Sequence, residues 1–408
     1  IVDEESFAPS ERSELIKRNL LPLKLNNPAI PLLTKLFGYL LGDGTIYFSN
    51  GQGFVCAYGT QEDLLEMKQD IDRLGFSARV YGGTRDHSVP TKYGVVKFTS
   101  TNHELHVSSR SLANLFYALG YPRGTKTVTP FTIPSWIMQS PLWIKRLFLS
   151  ALFGAEMSTP KTHTKTGFYC PTFQMNKNSE QLENGRAFFI QVIALLEELN
   201  IKTHRLVDFE DFHNKHGKTH TIRLQISAEE DNLVRLWGSV GFSYNKKRSK
   251  YANIAITYIK TKKQLANDRD LIIKRIKELK SMGLKMHEVV KLLQSNSINK
   301  RFIQRHYAED LPARISLDFL SFSEFMQQKE IELNEYGCMF DKIISIKQIE
   351  YNDYVYDFTV QDTHTFIAEG VIVSNCGMRL VLTNLTLRDV KPHIKQLVDR
   401  LYERIPAG

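Results

Sequence analysis

Two apolar segments of the chain share a pattern of small residues. The first, LLTKLFGYLLGDG, begins at Leu32 and has Gly38 and Gly42 four positions apart. The second, PLWIKRLFLSALFGAE, has Ala151 and Ala155 in the same relation. Residues three or four positions apart lie on one face of an α-helix. The pattern therefore predicts two helices, each with a narrow stripe of small residues.

Similar elements follow both helices. The first copy continues with the strand-like FVCAYGT, the amphipathic EDLLEMKQDIDRLGF, and the strand-like SARVYGG and VVKFTST. The second continues with FYCPTFQM, EQLENGRAFFIQVIALLEEL, IKTHRLV and THTIRLQIS. Each copy ends in a short helix and a basic turn, LANLFYALGYPRGTK and NLVRLWGSVGFSYNKK. Two copies of one α-β-β-α-β-β-α unit are the simplest explanation, which predicts a duplicated α+β fold.

Residues outside the duplication have other patterns. Residues 1–30 are mostly polar and end in NNPAIP, which predicts a linker before the first helix. Residues 262–312 contain three helical stretches separated by Gly283 and by an Asn/Ser-rich break, a spacing typical of a helix-turn-helix module. A plain helical spacer is the alternative. Basic residues on the last of these helices are candidates for DNA binding: Lys300, Arg301 and Arg305.

The C-terminal part alternates between apolar and polar residues over short runs. Residues 313–375 include KIISIKQIE, YVYDFTV, HTFIAEG and VIV, which predict a small all-β region. Residues 376–408 include VKPHIKQLVDRLYERI, whose spacing predicts an amphipathic helix.

The composition excludes several classes of protein. With 42% apolar and 24% charged residues the chain is globular rather than disordered. It has no apolar run of the length that spans a membrane and no signal-peptide pattern at its start, so no membrane partner is expected. The net charge of +9 favours a polyanionic partner but alone indicates only solubility. Four widely spaced cysteines exclude a disulfide framework and a cysteine-rich zinc site and suit a reducing cytoplasm: Cys56, Cys170, Cys338 and Cys376.

The two small-residue helices end in acidic residues, Asp43 and Glu156. Small contact faces would let the helices approach closely, and helix C-termini are already electronegative. Two carboxylates there would repel each other unless a hard cation such as Mg²⁺ lay between them. Such an ion can polarise a phosphodiester and lower the pKa of bound water, while Lys126 and Lys247 in the basic turns would add positive charge. The pattern predicts a nuclease site; ordinary core packing is the alternative for either helix alone.

Within the strand THTIRLQIS, polar and apolar residues alternate from Thr221 to Ser227. Arg and Gln side chains read guanine and adenine edges in the major groove, so its polar face is a candidate for DNA recognition. A merely solvated sheet face is the alternative. The apolar positions are Ile222, Leu224 and Ile226, and the polar ones Thr221, Arg223, Gln225 and Ser227. Lys97, in the strand-like VVKFTST, is a further candidate for DNA binding.

LFGYLLGDG and FLSALFGAE resemble the paired motifs of the LAGLIDADG homing endonucleases, and LGYPRGTKTVTPFTIPSW resembles their lysine block. The resemblance covers roughly residues 31–260 and implies a pseudo-twofold enzyme that cleaves double-stranded DNA with Mg²⁺ or Mn²⁺. It also implies that Asp43 and Glu156 bind the metal, that Lys126 is an auxiliary lysine, and that Lys247 is its second-half counterpart.

The second motif departs from the family pattern. It has Glu156 where Asp is usual and Met157 where Gly is common. The extra methylene of Glu shifts the position of an ion, so the fold is expected more firmly than the cleavage. An endonuclease-like fold that binds DNA without cutting it is therefore a rival hypothesis.

The string VYDFTVQDTHTFIAEGVIVSNC ends in an Asn-Cys pair. The side-chain amide of Asn375 can attack its own backbone carbonyl and break the bond to Cys376, a nucleophile, with His364 as proton carrier. The string resembles the C-terminal splicing blocks of inteins, which implies these roles, makes Cys376 the first host residue, and gives Asp357 a supporting role. Ser374 stands where inteins usually have His, so His364 carries more of the proton transfer.

The resemblance to inteins has two further implications. Neither an N-terminal Cys or Ser nor a TxxH block precedes Leu32, so we expect an N-terminal intein half and a preceding host segment as missing partners. After Asn375, CGMRLVLTNLT resembles the GTP-dependent RNA-splicing ligases (RtcB family). That resemblance implies that residues 376–408 belong to an RNA ligase that uses Mn²⁺ and GTP, with Cys376 as a manganese ligand and RNA as partner.

Three hypotheses follow from the sequence. The first is an intein-borne DNA endonuclease within an RNA ligase precursor. In that case the function of the whole host protein would be RNA ligation. The second is a degenerate intein that binds DNA without cleaving it. The third is a DNA-binding regulator that uses residues 262–312.

Overall fold

The computed structural model describes most of the chain: residues 1–91, 94–214, 217–295, 298–311, 319–332, 350, 360, 365–368, 371–374, 390–396 and 400. The chain divides into two units, Ile1–Asp341 and Lys342–Gly408, which are described separately.

The first repeat has the predicted order of elements. After α1 (Pro9–Lys17) come α2 (Ile30–Asp43), β1 (Gly44–Ser49), β2 (Gln52–Gly59), α3 (Gln61–Arg73), β3 (Ala78–Thr91), β4 (Gly94–Ser108) and α4 (Arg110–Ala118). The strands form an antiparallel sheet in the order β1-β2-β4-β3. One face is buried, with Val55, Leu105 and Val107, and the other is exposed, with Tyr47 and Tyr81.

The prediction of a linker over residues 1–30 is wrong. Helix α1 packs on α4, and the Glu11 carboxylate accepts hydrogen bonds from Arg110 Nε (2.7 Å) and Asn114 Nδ2 (3.0 Å). Apolar residues spaced through this polar segment are buried: Leu15, Leu20, Leu21 and Leu23. Their burial joins the segment to the core of the first repeat.

The second repeat follows the same order but lacks the first strand of the predicted unit. Its elements are α5 (Ser135–Met138), α6 (Leu142–Glu156), β5 (Thr172–Asn178), α7 (Leu182–Glu198), β6 (Thr203–Asn214), β7 (Gly217–Ile226) and α8 (Glu230–Arg235). The sheet order is β5-β7-β6. Where the first repeat has β1, this repeat forms one bridge, Thr162 to Phe168. Pro160 and Pro171 cannot donate to a ladder, which explains the short pairing and the start of β5 at Thr172.

The alternation of β7 is confirmed in part. Ile222, Leu224 and Ile226 are completely buried, and Arg223 and Gln225 are half-buried on the other face. Thr221, expected on the exposed face, is buried because its hydroxyl bonds to Asn176 Oδ1 (2.7 Å) and Asp211 Oδ2 (3.1 Å).

Three helices follow the second repeat: α9 (Lys246–Ser281), α10 (Met286–Leu293) and α11 (Lys300–Ala308). The end of α9 forms a small separate core with α10 and α11, composed of Ile276, Leu279, Val289, Val290, Ile298 and Ile303. Gly283 lies between α9 and α10, where the sequence predicted a break, and its φ of 88° is one that glycine adopts readily at a helix C-terminus. The predicted boundary near residue 261 lies inside α9, which is one continuous helix. Helix α12 (Phe322–Glu332) packs Phe322 and Phe325 against Tyr258 of α9.

In the second unit, β8 (Thr365–Ala368) and β9 (Val371–Ser374) pair antiparallel. They correspond to the predicted β-runs HTFIAEG and VIV. The other two runs lie outside the described residues except for their last residues, Glu350 and Val360. Asp357, His364, Asn375 and Cys376 also lie outside the described residues. Among the described residues, no helix combines the length and the apolar character needed to cross a membrane.

Candidate functional site

Helices α2 and α6 touch through their small residues. A Cβ on Gly38 would lie 2.5 Å from the carbonyl oxygen of Phe148 and 3.3 Å from Ala151 Cβ. A Cβ on Gly42 would lie 2.5 Å from Ala155 Cβ. The two separations of 2.5 Å are too short for real Cβ atoms, so the helices can approach this closely only because Gly38 and Gly42 have no side chains. The predicted small-residue stripes are thus the contact between the two helices.

This contact brings the acidic helix ends together. Asp43 is the last residue of α2, and Glu156 is the last residue of α6. The Glu156 carboxylate lies against the end of α2, since a Cβ on Gly42 would be 3.4 Å from its Oε1 atom. Burial, and then the charge of Asp43, raise the pKa of Glu156 to about 7. Burial also raises the pKa of Asp43. Negative charge is therefore unfavourable at both positions.

Lys126 caps the end of α2. Its ammonium donates hydrogen bonds to the carbonyl oxygens of Leu40 (3.0 Å), Leu41 (2.9 Å) and Gly42. These carbonyls have no partner within the helix, and the helix dipole favours a cation there. Burial lowers the pKa of Lys126 to about 8, although Glu156 and then Asp43 oppose the shift.

Two further side chains hold this region. The Lys177 ammonium is buried and donates to the carbonyl oxygens of Lys126 and Thr129, both at 2.8 Å. The Tyr121 hydroxyl donates to the carbonyl oxygens of Leu40 (2.9 Å) and Gly44 (3.2 Å). Sequence reasoning missed both residues, because each acts on carbonyls that are distant along the chain.

Arg248, not Lys247, is the second-half counterpart of Lys126. Its Nη1 atom donates to the carbonyl oxygens at the end of α6: Phe153 (3.5 Å), Gly154 and Ala155 (2.9 Å). Lys247 is exposed, with its ammonium 5.9 Å from the ring centroid of Tyr251. Asn245 determines this arrangement: its side chain caps α9 by accepting from Arg248 N (3.0 Å) and donates to Gly154 O (2.9 Å). The sequence KKR at residues 246–248 contains Arg248 as its third basic residue, and this was the signal from which the role of Arg248 could have been predicted.

The centre of this arrangement consists of two acids and two cations. Asp43 and Glu156 offer only oxygen donors, which suit hard ions such as Mg²⁺ or Mn²⁺. Both acids keep raised pKa values even though Lys126 and Arg248 lower them, so additional positive charge would be favourable between them. The residues present therefore fit a divalent cation. When bound, such an ion would polarise a phosphodiester and acidify water.

The predicted DNA-contacting residues lie on three elements. On β7, Arg223 Nε donates to Gln174 Oε1 (3.1 Å), its guanidinium lies 4.7 Å from the Phe209 ring, and Gln225 follows on the same face. Lys97 is exposed on β4. On α11, the side chains of Lys300, Arg301 and Arg305 are exposed. The structure does not bring these three groups into contact with the acid pair.

No family model matches the chain. Over its whole length the chain is 35% identical to the tRNA-splicing ligase RtcB of Pyrococcus furiosus, and it spans only 41% of that protein. Over 89% of its length it is 28% identical to the DNA-directed RNA polymerase subunit Rpo1N of Methanocaldococcus jannaschii, of which it spans 24%. Among solved structures, the homing endonuclease I-WcaI bound to its DNA recognition sequence is similar, with 13% identity and a TM-score of 0.36, covering 58% of this chain and 96% of that one. The chain thus resembles, over its whole length, a segment of RtcB proteins and spans less than half of the length of those relatives.

Proposed function

We propose that residues 31–260 are a divalent-metal-dependent DNA endonuclease and that the chain is part of an intein in an RNA ligase precursor. One observation carries the endonuclease proposal. Asp43 and Glu156 lie at adjoining helix ends, and each helix end is capped by a buried or half-buried cation. Core packing alone does not require two acids and two cations at the same place.

The two acids and the two cations would have different roles in the proposed reaction. Asp43 and Glu156 would hold the ion that polarises the phosphodiester and acidifies water. Lys126, with a pKa of about 8, is mostly protonated at neutral pH and would place positive charge near the phosphate. Arg248 would do the same from the second repeat. Because both cations also hold the helix ends, they would fix the direction in which the two carboxylates point.

DNA would bind on the exposed sheet faces. Arg223 is positioned by Gln174 and Phe209, so its guanidinium is partly ordered before any contact with a base. Gln225 lies on the same face, two residues further along β7. Lys97 on β4, and Lys300, Arg301 and Arg305 on α11, would contact phosphates, which gives affinity without sequence preference.

The intein proposal is supported by the range of the relatives. Much of this chain is similar to parts of RtcB and of an RNA polymerase subunit, two proteins whose names indicate different functions. An inserted segment that occurs in different hosts explains this range.

The remaining assignments belong to the same proposal. In the splicing region, Asn375 would cyclise with help from His364 and Asp357, and Cys376 would be the first host residue. In the mature host, Cys376 would be a manganese ligand of a GTP-dependent RNA ligase. The N-terminal intein half and the preceding host segment would be the partners of this chain in splicing.

DNA cleavage tests the endonuclease proposal. The substrate is a plasmid that carries the coding sequence of an RtcB relative with the matching segment deleted, and the control plasmid retains the segment. We expect linear product from the first plasmid with Mg²⁺ and none when the ion is chelated. DNA binding should fall steeply as salt rises, because each phosphate contact releases counterions. Binding without linear product at any concentration of Mg²⁺ or Mn²⁺ would favour a degenerate intein that does not cut.

A further inference from the structure

A second set of donor atoms lies on the exposed face of the first sheet, the opposite face from the one packed against the helices. Cys56 on β2, and Glu104 and His106 on β4, each offer one ligand atom, and these three atoms lie within 4.8 Å of one another. We propose that they form a binding site for a borderline divalent cation, Zn²⁺ in the first instance. The site is separate from the Asp43 and Glu156 pair and does not depend on the proposed function.

The sheet register explains why the three donors converge. Cys56 is directly opposite His106 in the antiparallel pairing of β2 with β4, and Glu104 is two residues from His106 on the same strand. Residues two apart on a strand share a face, and directly opposed residues are neighbours across strands. Both strands are in the interior of the sheet, so the backbone that carries the donors is held on both sides.

The donor set selects the class of ion. A thiolate, an imidazole and a carboxylate together are typical of zinc ligands, whereas Mg²⁺ and Ca²⁺ prefer oxygen alone. Zinc bound by three protein ligands keeps a fourth position open. Tyr47 shares a side-chain hydrogen bond with Cys56, so its phenol is next to one of the three donors. The fourth ligand would then be its phenol or a water.

The surroundings leave access for an ion. The side chains of His106 and Glu104 are 29% and 26% exposed, while Cys56 is buried beneath them. His106 Nε2 and Glu104 Oε1 are 2.6 Å apart, so these two donors already point at one another. An ion between them would require that contact to open slightly, and the Cys56 thiol would release its proton to solvent on binding.

Cobalt absorption on the full-length chain tests the site. Co²⁺ is the probe, because a thiolate ligand gives a charge-transfer band and a tetrahedral site gives strong d–d bands. We expect one equivalent of Co²⁺ to produce both, and Zn²⁺ to displace it. The charge-transfer band should disappear in Cys56→Ser and persist in Cys170→Ser, the matched control for the other thiol of the described residues. It should also persist in Asp43→Asn, which alters only the acid pair of the helices.

Two further variants keep the test decisive if Cys56→Ser does not fold. His106→Gln and Glu104→Gln replace partly exposed side chains, and each should weaken Co²⁺ binding at least about tenfold. Zn²⁺ should raise the melting temperature of the wild-type chain and of Cys170→Ser by more than that of His106→Gln, since any ion at the acid pair of the helices stabilises all three alike. Absence of a charge-transfer band, a band that survives Cys56→Ser, or unchanged Co²⁺ affinity in both Gln variants would overturn the proposal.

Discussion

Replacing Arg248 should destabilise the protein far more than replacing its neighbour Lys247. Arg248→Ala removes the donors to three carbonyl oxygens at the end of α6 and one positive charge beside Asp43 and Glu156. Lys247→Ala removes an exposed ammonium that lies 5.9 Å from the ring centroid of Tyr251. Both variants remove one positive charge from neighbouring residues of α9, so a difference between them reports where the side chain lies rather than the loss of charge.

The expected magnitude follows from these contacts. A hydrogen bond to a charged donor contributes about 1.5–3 kcal/mol net. The three bonds of Arg248 share one nitrogen atom, and burial of its guanidinium, which lowers its pKa, costs part of the gain. We therefore expect a loss of about 2–4 kcal/mol for Arg248→Ala. Lys247→Ala should change stability by less than about 0.5 kcal/mol, as exposed substitutions usually do.

Thermal unfolding of the full-length chain, followed by circular dichroism, measures the difference. Arg248→Ala should lower the melting temperature by about 2–5 °C, and Lys247→Ala by less than about 1 °C. Arg248→Lys should fall between them, because it keeps a charge and loses the guanidinium geometry. Equal effects of the two Ala variants, or a larger effect at Lys247, would refute the assignment of Arg248 as the cap of α6.

Four other outcomes are expected. The pKa of Glu156 is raised from 4.5 to about 7, so ionisation of this carboxyl opposes folding. Without divalent ions, the stability of Glu156→Gln relative to wild type should therefore increase as the pH rises from about 5 to 7, by up to about 3 kcal/mol. Thermal melts at several pH values measure this difference. A difference that shrinks with rising pH would contradict this. Gly38→Ala should lower the free energy of unfolding, measured in urea, by about 1–3 kcal/mol, because the new Cβ would meet a backbone oxygen. Gly83→Ala should lower it much less, because its Cβ would meet nothing within 4 Å. Equal losses would refute the close contact of the two helices. Arg223→Ala should weaken binding to the recognition sequence by about 1–3 kcal/mol in fluorescence anisotropy and change non-specific binding less, and a uniform loss would make it a phosphate contact. Slow release of residues 376–408, followed by intact mass, should stop in Asn375→Ala, and persistent release would indicate ordinary proteolysis.

Local patterns in the sequence were enough for the helix pair and for the face of β7. Gly38 and Gly42 predict a close helix contact because spacing on a helix is a local property, and the strict alternation around Leu224 fixes which side is buried. The acids at the helix ends followed from the same pattern. These features therefore did not depend on knowledge of the tertiary structure.

The corrections concern features that distant contacts determine. Leu15 and Leu20 are buried because α1 packs on α4, which a short polar segment does not reveal. Arg248 rather than Lys247 faces α6 because Asn245 sets where α9 begins, and a shift of one residue rotates a helix by about 100°. The site of Cys56 with His106 depends on strand register, which sequence separation does not show.

The central claim is that Asp43 and Glu156 share one divalent ion and together cut DNA. The direct measurement is cleavage by wild type, Asp43→Asn and Glu156→Gln on the same plasmid with Mg²⁺, with DNA binding measured in parallel. Each substitution should abolish double-strand cleavage, because each removes one carboxylate from the shared site, while DNA binding should stay nearly unchanged. Cleavage by Glu156→Gln at the wild-type rate would contradict this claim.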